Sequence, residues 1–524
     1  MQRVLIVGGV AGGASCAARL RRLSEAAQIM MFERGNYVSF ANCGLPYHVG
    51  GVIPEESSLL VANVAKFNNW FNVDVKINTE VVAIDRAARK VTARDGGTGQ
   101  EAQYEYDALV LAPGAAAIRP TLPGIDLPGI FAMKTIPDVR QVKQWIAQTS
   151  AKSAVVVGGG FIGLEMAENL MHLGLDTSVV EMLPQVMPPF DAEMVEPLHA
   201  HMRAKGCKLH LGDGVAGFEQ GAGGKGLVVK TQSGAAHPAD LVMLVIGVRP
   251  EVGLAKSAGL ELGPRGGIKV DDHMRTSDPH IYAVGDAVEV KDWVTGQPAL
   301  IPLAGPANRQ GRIAADVIMG KEPSKFRGTQ GTAVVGVLGM TCASTGASER
   351  TLKRAGLAYE KVYVHDGKIL GCQATGVVAG VEKRVDVVAM CMQMGGTVFD
   401  LEEAELCYAP QYGSAKDPVN IAGMAAANIV RGDALYTSWN GSVPGALNLP
   451  LSSLRKRMGE VPAGRKLYVY CQVGLRGYYA TRQLLLAGHD AVNISGGYKS
   501  YKDFKASHQL QGGAANGAAN GAKL

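Results

Sequence analysis

Arg3-Val4-Leu5-Ile6-Val7-Gly8-Gly9-Val10-Ala11-Gly12-Gly13 decides the fold: a buried-strand pattern runs into a turn of small residues, and an alanine-rich helix follows to about Leu23. A turn of this kind brings backbone amides and the positive end of a helix dipole to one point, where a pyrophosphate is stabilised. The next predicted strand, residues 29–32, ends at Glu33, where a carboxylate should accept ribose hydroxyls. Val10 replaces the middle glycine of the G-x-G-x-x-G pattern, so this copy departs from it. The second copy does not: residues 154–157 read as a strand, Gly158-Gly159-Gly160-Phe161-Ile162-Gly163 as the turn, and a helix runs through Leu173. A strand over residues 177–180 then closes at Glu181. One such motif reads equally as a helix-packing turn, but two complete copies point to an α/β fold with two dinucleotide-binding, Rossmann-like domains. A carboxylate at Glu181 would repel a 2′-phosphate, which favours NADH, with NADPH as the alternative.

Around this engine the rest of the chain sets bounds. At 524 residues the length suggests three to four domains, at roughly 150 residues each. The net charge of +5 is small for that length and gives no reason to expect nucleic acid. The chain begins directly in a strand without a leader pattern, and no long apolar run suggests a membrane span. The eight cysteines lack framework and zinc spacing, so no metal is expected and a reducing cytoplasm fits. Residues 509–524 are low-complexity and read as a disordered tail.

Two segments tie the nucleotide units together. Residues 106–114 form a strand ending in a small-residue turn at Ala112-Pro113-Gly114, a crossing point between units. Ile281-Tyr282-Ala283-Val284-Gly285-Asp286 is a strand whose terminal aspartate suits a ribityl chain or, alternatively, a helix cap. Between them the chemistry gathers at Cys43, in Ser39-Phe40-Ala41-Asn42-Cys43-Gly44-Leu45-Pro46-Tyr47, which has no second cysteine beside it. Asn42, Gly44 and Pro46 place it in a turn. A lone thiolate there must exchange with a small thiol, a sulfur atom or a peroxide oxygen, and its reactivity calls for a depressed pKa, supplied by neighbouring dipoles or by a charge-transfer partner. The bland alternative is a small buried hydrophobe.

A second lone thiol stands at Cys471, in Cys471-Gln472-Val473-Gly474-Leu475-Arg476. A predicted strand over 466–470, this loop, a helix over 478–486 and the strand Ala491–Ile494 place the sulfur over convergent amides at a helix N-terminus. There a thiolate or persulfide is stabilised, and Arg476 adds positive charge.

On these motifs residues 1 to about 430 resemble the single-cysteine flavin disulfide reductases that include coenzyme A disulfide reductase, NADH oxidase and NADH peroxidase, with SFANCGLPY specific for the coenzyme A disulfide reductase branch. The segment after about residue 429 resembles a rhodanese domain, whose family role for Cys471 is to carry sulfane sulfur. The resemblance implies FAD held by Gly8, Ala11, Gly12, Gly13, Glu33, Arg34, Asn42, Ala112, Gly114, Asp286 and Ala304. It implies NADH held by Gly158, Gly160, Phe161, Ile162, Gly163, Glu181 and Gly247. Coenzyme A, as substrate or bound thiol, would meet Arg22, Ser39, Asn42, Asn308 and Arg312, with Tyr408 and Tyr412 supplied by the partner of a symmetric homodimer. Ala11 stands where the peroxidase branch has an assisting histidine, so peroxide and oxygen reduction should be side activities.

The implied organisation is an FAD domain over residues 1–148 and 271–324, an NAD(P)H domain over 149–270, an α+β dimerisation domain over 325–430 and a rhodanese-like α/β domain over 431–508. Two places fall short of the families. A longer segment is expected between His365 and Asp366, and residues 435–442 are too short for the opening strand and Asp-x-Arg element of a rhodanese. Each reads either as a segment missing from this sequence or as a true shortening, and the former is favoured because a rhodanese sheet without that strand would expose an apolar edge. The expected activity is NADH-driven reduction of coenzyme A disulfide, coenzyme A persulfide or polysulfide, releasing thiol or sulfide. The rivals are a plain NADH oxidase and a non-enzymatic redox sensor or sulfur carrier.

Overall fold

A computed structural model describes residues 2–322, 325–357, 368–407, 417–431, 436–437, 446–447, 449, 451–471 and 475–494. It divides into two compact units. One comprises Met1–Val186 with Gly206–Gly331, and the other Met187–Lys205 with Thr332–Leu524.

In the first unit the opening sequence forms β1 (Arg3–Val7), α1 (Ala11–Leu23) and β2 (Gln28–Phe32). The short helix α2 (Leu45–Val49) follows, then β3 (Asp74–Lys76) and β4 (Ala108–Leu111). The second glycine turn is flanked by β5 (Ile130–Phe131), β6 (Ser153–Val157), α3 (Phe161–His172), β7 (Asp176–Glu181), β8 (Lys208–Leu211) and β9 (Leu241–Leu244). The chain then returns through β10 (Ile281–Ala283) and α4 (Ala304–Ile318). The two parallel sheets run β10-β4-β1-β2-β3 and β8-β7-β6-β9-β5. Parallel strands covered by helices are buried on both faces, which is why β1, β4, β6 and β9 are nearly unbroken runs of Val, Leu, Ile and Ala. The return to β10 after the second sheet splits the first nucleotide domain in sequence and puts the 281–286 segment beside β4, with Ile281 paired to Leu109.

In the second unit β11 (Ala333–Val337), β12 (Met340–Gly346) and β13 (Gly371–Gly376) form an antiparallel sheet covered by α5 (Val381–Gln393). The helix Ala192–Ala204, which the sequence assigned to the NAD(P)H domain, groups with this sheet instead. Asp191 explains the attachment: its amide donates to Gln373 Oε1 at 2.9 Å and its carboxylate accepts from Glu349 N at 2.8 Å. Beyond α6 (Val398–Glu403) and α7 (Pro418–Val430) lies a small parallel sheet of β14 (Tyr436–Thr437), β15 (Leu467–Val469) and β16 (Ala491–Ile494), in the order β14-β16-β15. Helix α8 (Leu475–Leu486) packs on it. An opening strand thus does form at Tyr436–Thr437, where the sequence read as too short for one, but it is only two residues long. The junction near residue 365 and the tail lie outside the described residues. Among those described, no helix is long and apolar enough to cross a membrane, and no group of three or more His, Cys, Asp or Glu could hold a metal.

Candidate active site

The two glycine turns are built alike. Gly8 has φ +101°, and a Cβ there would lie 2.0 Å from Ala112 O; at Gly13 a Cβ would lie 1.9 Å from Gly8 O. Gly158 has φ +112°, and a Cβ at Gly163 would lie 2.0 Å from Gly158 O. The first glycine of each turn therefore needs the left-handed region and the last lets the helix close on the strand. Gly160 is different: a Cβ there meets nothing within 4 Å, so its open side faces the mouth of the turn. Val10 occupies the matching position of the first copy and precedes α1 as its cap.

Both acids fall where the sequence put them, and each also anchors its own turn. Glu33 accepts from Gly9 N at 2.9 Å and Gly35 N at 2.8 Å. Glu181, buried, accepts from Gly159 N at 2.6 Å and Leu183 N at 2.8 Å. Each carboxylate oxygen keeps a further lone pair for a ribose hydroxyl. Arg34 pairs with Glu251 at 2.9 Å. Gly114 and Gly247 take φ +73° and +123°, and Ala304 opens α4. Phe161 and Ile162 form the first turn of α3, with Ile162 exposed. Asp286 sits in a 3-10 turn, Gly285–Ala287, that has no side-chain cap bond; its carboxylate faces Lys134 Nζ at 3.5 Å instead.

Cys43 lies in the 3-10 turn Asn42–Gly44, which runs directly into α2, so the expected turn is in fact a helix start. The thiol is free and exposed. Asn42 Nδ2 donates to Lys134 O at 3.3 Å, tying this turn to the connection after β5 that carries Lys134. Ser39 has φ +49° and its carbonyl accepts from Val61 N and Ala62 N. With the chain alone the Cys43 pKa is raised, so the lowering that its reactivity calls for is left to a charge-transfer partner rather than to neighbouring dipoles of the protein. Desolvation by the surrounding atoms is the main cause even though the sulfur has exposed surface, followed by the charges of Glu165 and Asp286; Lys134 and a backbone hydrogen bond oppose them. The protein alone therefore favours the neutral thiol. By comparison burial pushes the Cys207, Cys342 and Cys372 thiols up to about 11, and these are packing residues.

Of the proposed coenzyme A ligands, Arg22, Asn308 and Arg312 are exposed on α1 and α4. Ser15 Oγ donates to Asn308 Oδ1 at 2.7 Å, and the Arg19–Asp316 pair at 2.6 Å joins the same two helices. The adjacent Arg21 is buried and donates to the carbonyls of Ser24, Glu25, Ala27, Phe71 and Asn72, so the two neighbouring arginines divide into a structural and a solvent-facing one. Tyr408 and Tyr412 lie outside the described residues, as do Gln472, Val473 and Gly474. Sequence reasoning missed Lys134, Tyr47 and Glu165, all coupled to Cys43; only their presence in the SFANCGLPY and second glycine motifs could have flagged the last two.

Cys471 follows β15, and α8 starts at Leu475, so Leu475 and Arg476 belong to the helix and not to a loop. A Cβ on Gly477, in the first turn of α8, would lie 3.4 Å from Cys471 N and 2.4 Å from Asn493 Oδ1. The Cys471 backbone therefore lies beside the first turn of α8.

Residues 2–311 match the family model described as pyridine nucleotide-disulphide oxidoreductase, and residues 430–504 match the rhodanese-like domain. The NADH oxidase of Methanocaldococcus jannaschii is 32% identical over 80% of this chain and 97% of its own length. The coenzyme A disulfide reductase of Staphylococcus haemolyticus is 31% identical over 82% of this chain and all of its own. Among solved structures, reduced Bacillus anthracis CoADR-RHD is 43% identical with a TM-score of 0.92, covering 96% of this chain and 98% of that one. A NAD-dependent persulfide reductase from A. fulgidus is 33% identical with a TM-score of 0.87, covering 95% and 100%. The chain therefore belongs to the pyridine nucleotide-disulphide oxidoreductase family and carries a rhodanese-like domain after its oxidoreductase part.

Proposed function

We propose that the protein is an FAD-dependent reductase that uses NADH to reduce coenzyme A disulfide, coenzyme A persulfide or polysulfide at Cys43, while Cys471 handles sulfane sulfur. The observation that carries this reading is Cys43 itself, an exposed free thiol at a helix start with no partner cysteine in its turn. The names of the Bacillus anthracis and A. fulgidus structures, which cover 96% and 95% of this chain, support it.

The cradle at Gly8 and Gly13, closed to any Cβ, fits the pyrophosphate of FAD, and the open face at Gly160 fits that of NADH. FAD held there would supply the two-electron reduction of sulfur, with NADH as the source of the electrons. The chain supplies the rest. Cys43 Sγ attacks a sulfur of the substrate disulfide, the old S–S bond breaks, and the first thiol departs. With coenzyme A persulfide the attack falls on the inner sulfur and releases hydrosulfide. Reduction of the mixed disulfide frees coenzyme A and restores the Cys43 thiolate. Arg22, Asn308 and Arg312 bind phosphates, Ser39 and Asn42 flank the thiol, and a homodimer in the cytoplasm, a compartment that keeps eight free thiols reduced, completes the reading.

Anaerobic NADH turnover with persulfide should release sulfide, and intact mass should show a reducible adduct of coenzyme A on Cys43. Full turnover by Cys43→Ser overturns the scheme. The Methanocaldococcus relative favours one second reading, NADH oxidase; oxygen consumption far exceeding persulfide reduction would select it.

A further inference from the structure

The rhodanese-like end of the chain carries a cavity whose lining includes neither thiol. The short helix Leu451–Leu454 lies beside α8, and Leu454, Ala480 and Leu484 share one buried cluster that holds the two together. Tyr479, Arg482, Gln483 and Leu486 recur at three- and four-residue spacing and so share one face of α8. With Arg455 and Lys456, which follow the short helix, they line a cavity of about 580 Å³. That lies within the range of ~300–1,000 Å³ typical of small-molecule sites.

Three cations line this cavity and no carboxylate does. Arg455 and Lys456 are exposed and make no ion pair among the described residues, whereas the next cation in the chain, Arg457, is neutralised by Glu460 through two bonds of 2.6 Å. Cations gathered around one concavity repel one another, and a bound polyanion turns that repulsion into attraction. The two arginines suit phosphate oxygens, which their planar forks can grip in pairs. Tyr479 and Leu486, both exposed, offer an aromatic and an aliphatic surface to a planar ring. Gln483 Oε1 is buried with no hydrogen-bond partner among the described residues, an acceptor that an amino or amide N–H of a ligand satisfies. A concavity with cations, a ring platform and one buried acceptor suits a phosphorylated nucleotide better than an acidic protein surface.

We propose that this groove binds the phosphorylated adenosine end of coenzyme A on the unit that carries Cys471, so that the thiol end of the same molecule collects sulfane sulfur there. This rests on the reading that coenzyme A persulfide is a substrate and that Cys471 carries the sulfur. Arg482 lies seven residues after Leu475, where α8 begins beside Cys471. The separation is about 10 Å along the helix axis, which an extended phosphopantetheine arm exceeds. Arg455, Lys456 and Arg482 take the phosphates, and the adenine ring lies on Tyr479 with its amino group toward Gln483. The coenzyme A thiolate attacks the outer sulfur of the Cys471 persulfide. The S–S bond at Cys471 breaks, its electron pair stays on Cys471 Sγ as the thiolate, and coenzyme A persulfide departs. No oxidant or reductant is consumed, and the product is the persulfide that Cys43 cleaves.

The test uses the full FAD-loaded chain carrying Cys43→Ser, which silences the reductase thiol, with and without Arg455→Ala and Lys456→Ala together. Cys471 is charged with sulfur from thiosulfate, and loss of the extra sulfur mass is followed against the concentration of coenzyme A or of pantetheine, the same thiol without the nucleotide. Coenzyme A should half-saturate the transfer at a concentration about tenfold or more below that of pantetheine. The double substitution should raise the coenzyme A value by about tenfold or more, leaving pantetheine and the charging by thiosulfate unchanged. Equal values for the two thiols, equal losses on both, or a preference for coenzyme A that survives the double substitution overturn the groove and leave the reading of Cys43 standing; the last outcome would hand these cations to an acidic protein surface. With Cys43 intact, a chain that cannot reduce coenzyme A disulfide with NADH overturns that reading and the groove with it.

Discussion

The raised pKa of Cys43 makes the sulfur a quiet thiol until something other than the chain stabilises its anion. Reactivity follows the thiolate fraction, and at a given pH a raised pKa means less thiolate. Alkylation of Cys43 by iodoacetamide in flavin-free protein should therefore keep rising about tenfold per pH unit beyond the ordinary thiol range, and FAD should move the curve to lower pH. A pH profile of labelling read by mass spectrometry checks this; identical curves with and without FAD contradict it. Glu181 gives a second residue-scale prediction. Its carboxylate already holds Gly159 and Leu183 amides, so the acceptor is fixed before any ribose arrives. Glu181→Ala removes charge-assisted bonds of about 1.5–3 kcal/mol each, and the ratio of kcat/KM for NADH over NADPH should fall by about tenfold or more. An unchanged ratio would remove Glu181 from cofactor selection.

Elements, more than residues, were legible in the sequence. The strands at Arg3 and Ser153, the helices after each glycine turn and the acids Glu33 and Glu181 follow from apolar runs, small-residue turns and spacing, because a nucleotide cradle constrains all of these locally. What was not legible depends on long-range contact. The Asp191 bonds to Gln373 and Glu349 tie the helix Ala192–Ala204, which lies beyond the second nucleotide motif, to the sheet of the second unit, and nothing near Asp191 in sequence announces them. Likewise the charges of Glu165 and Asp286 acting on Cys43 and the Tyr47–Glu165 bond arise across segments more than a hundred residues apart. The glycine turns give the element-scale test. Gly13→Ala and Gly163→Ala each place a methyl about 2 Å from a carbonyl oxygen, forcing helix from strand at a cost of about 1–3 kcal/mol. Gly13→Ala should lose FAD, read as flavin absorbance after purification. Gly163→Ala should retain FAD and raise the KM for NADH; loss of the same cofactor by both variants would show that the two turns are not separate sites.

At the scale of the whole molecule, one chain carries two single-thiol sites with opposite provisions for charge. Cys43 is crowded by Glu165 and Asp286 and favours the neutral thiol, whereas Cys471 sits against the first turn of α8, where the helix dipole favours an anion by up to about 2 kcal/mol. The first is suited to exchange that is gated by a bound redox group, the second to holding a charged sulfur chain at rest. Their functions should therefore separate by mutation. Cys471→Ala should abolish sulfur uptake from thiosulfate, measured as a single-sulfur mass increase on the Cys471 peptide, while NADH-driven reduction of coenzyme A disulfide continues. Cys43→Ser should show the reverse, taking up sulfur at Cys471 while flavin reduced by NADH is no longer reoxidised by disulfide. If either variant loses both activities although it still binds FAD, the two thiols do not act as independent stations. Sulfur handling would then have to be a property of the pair.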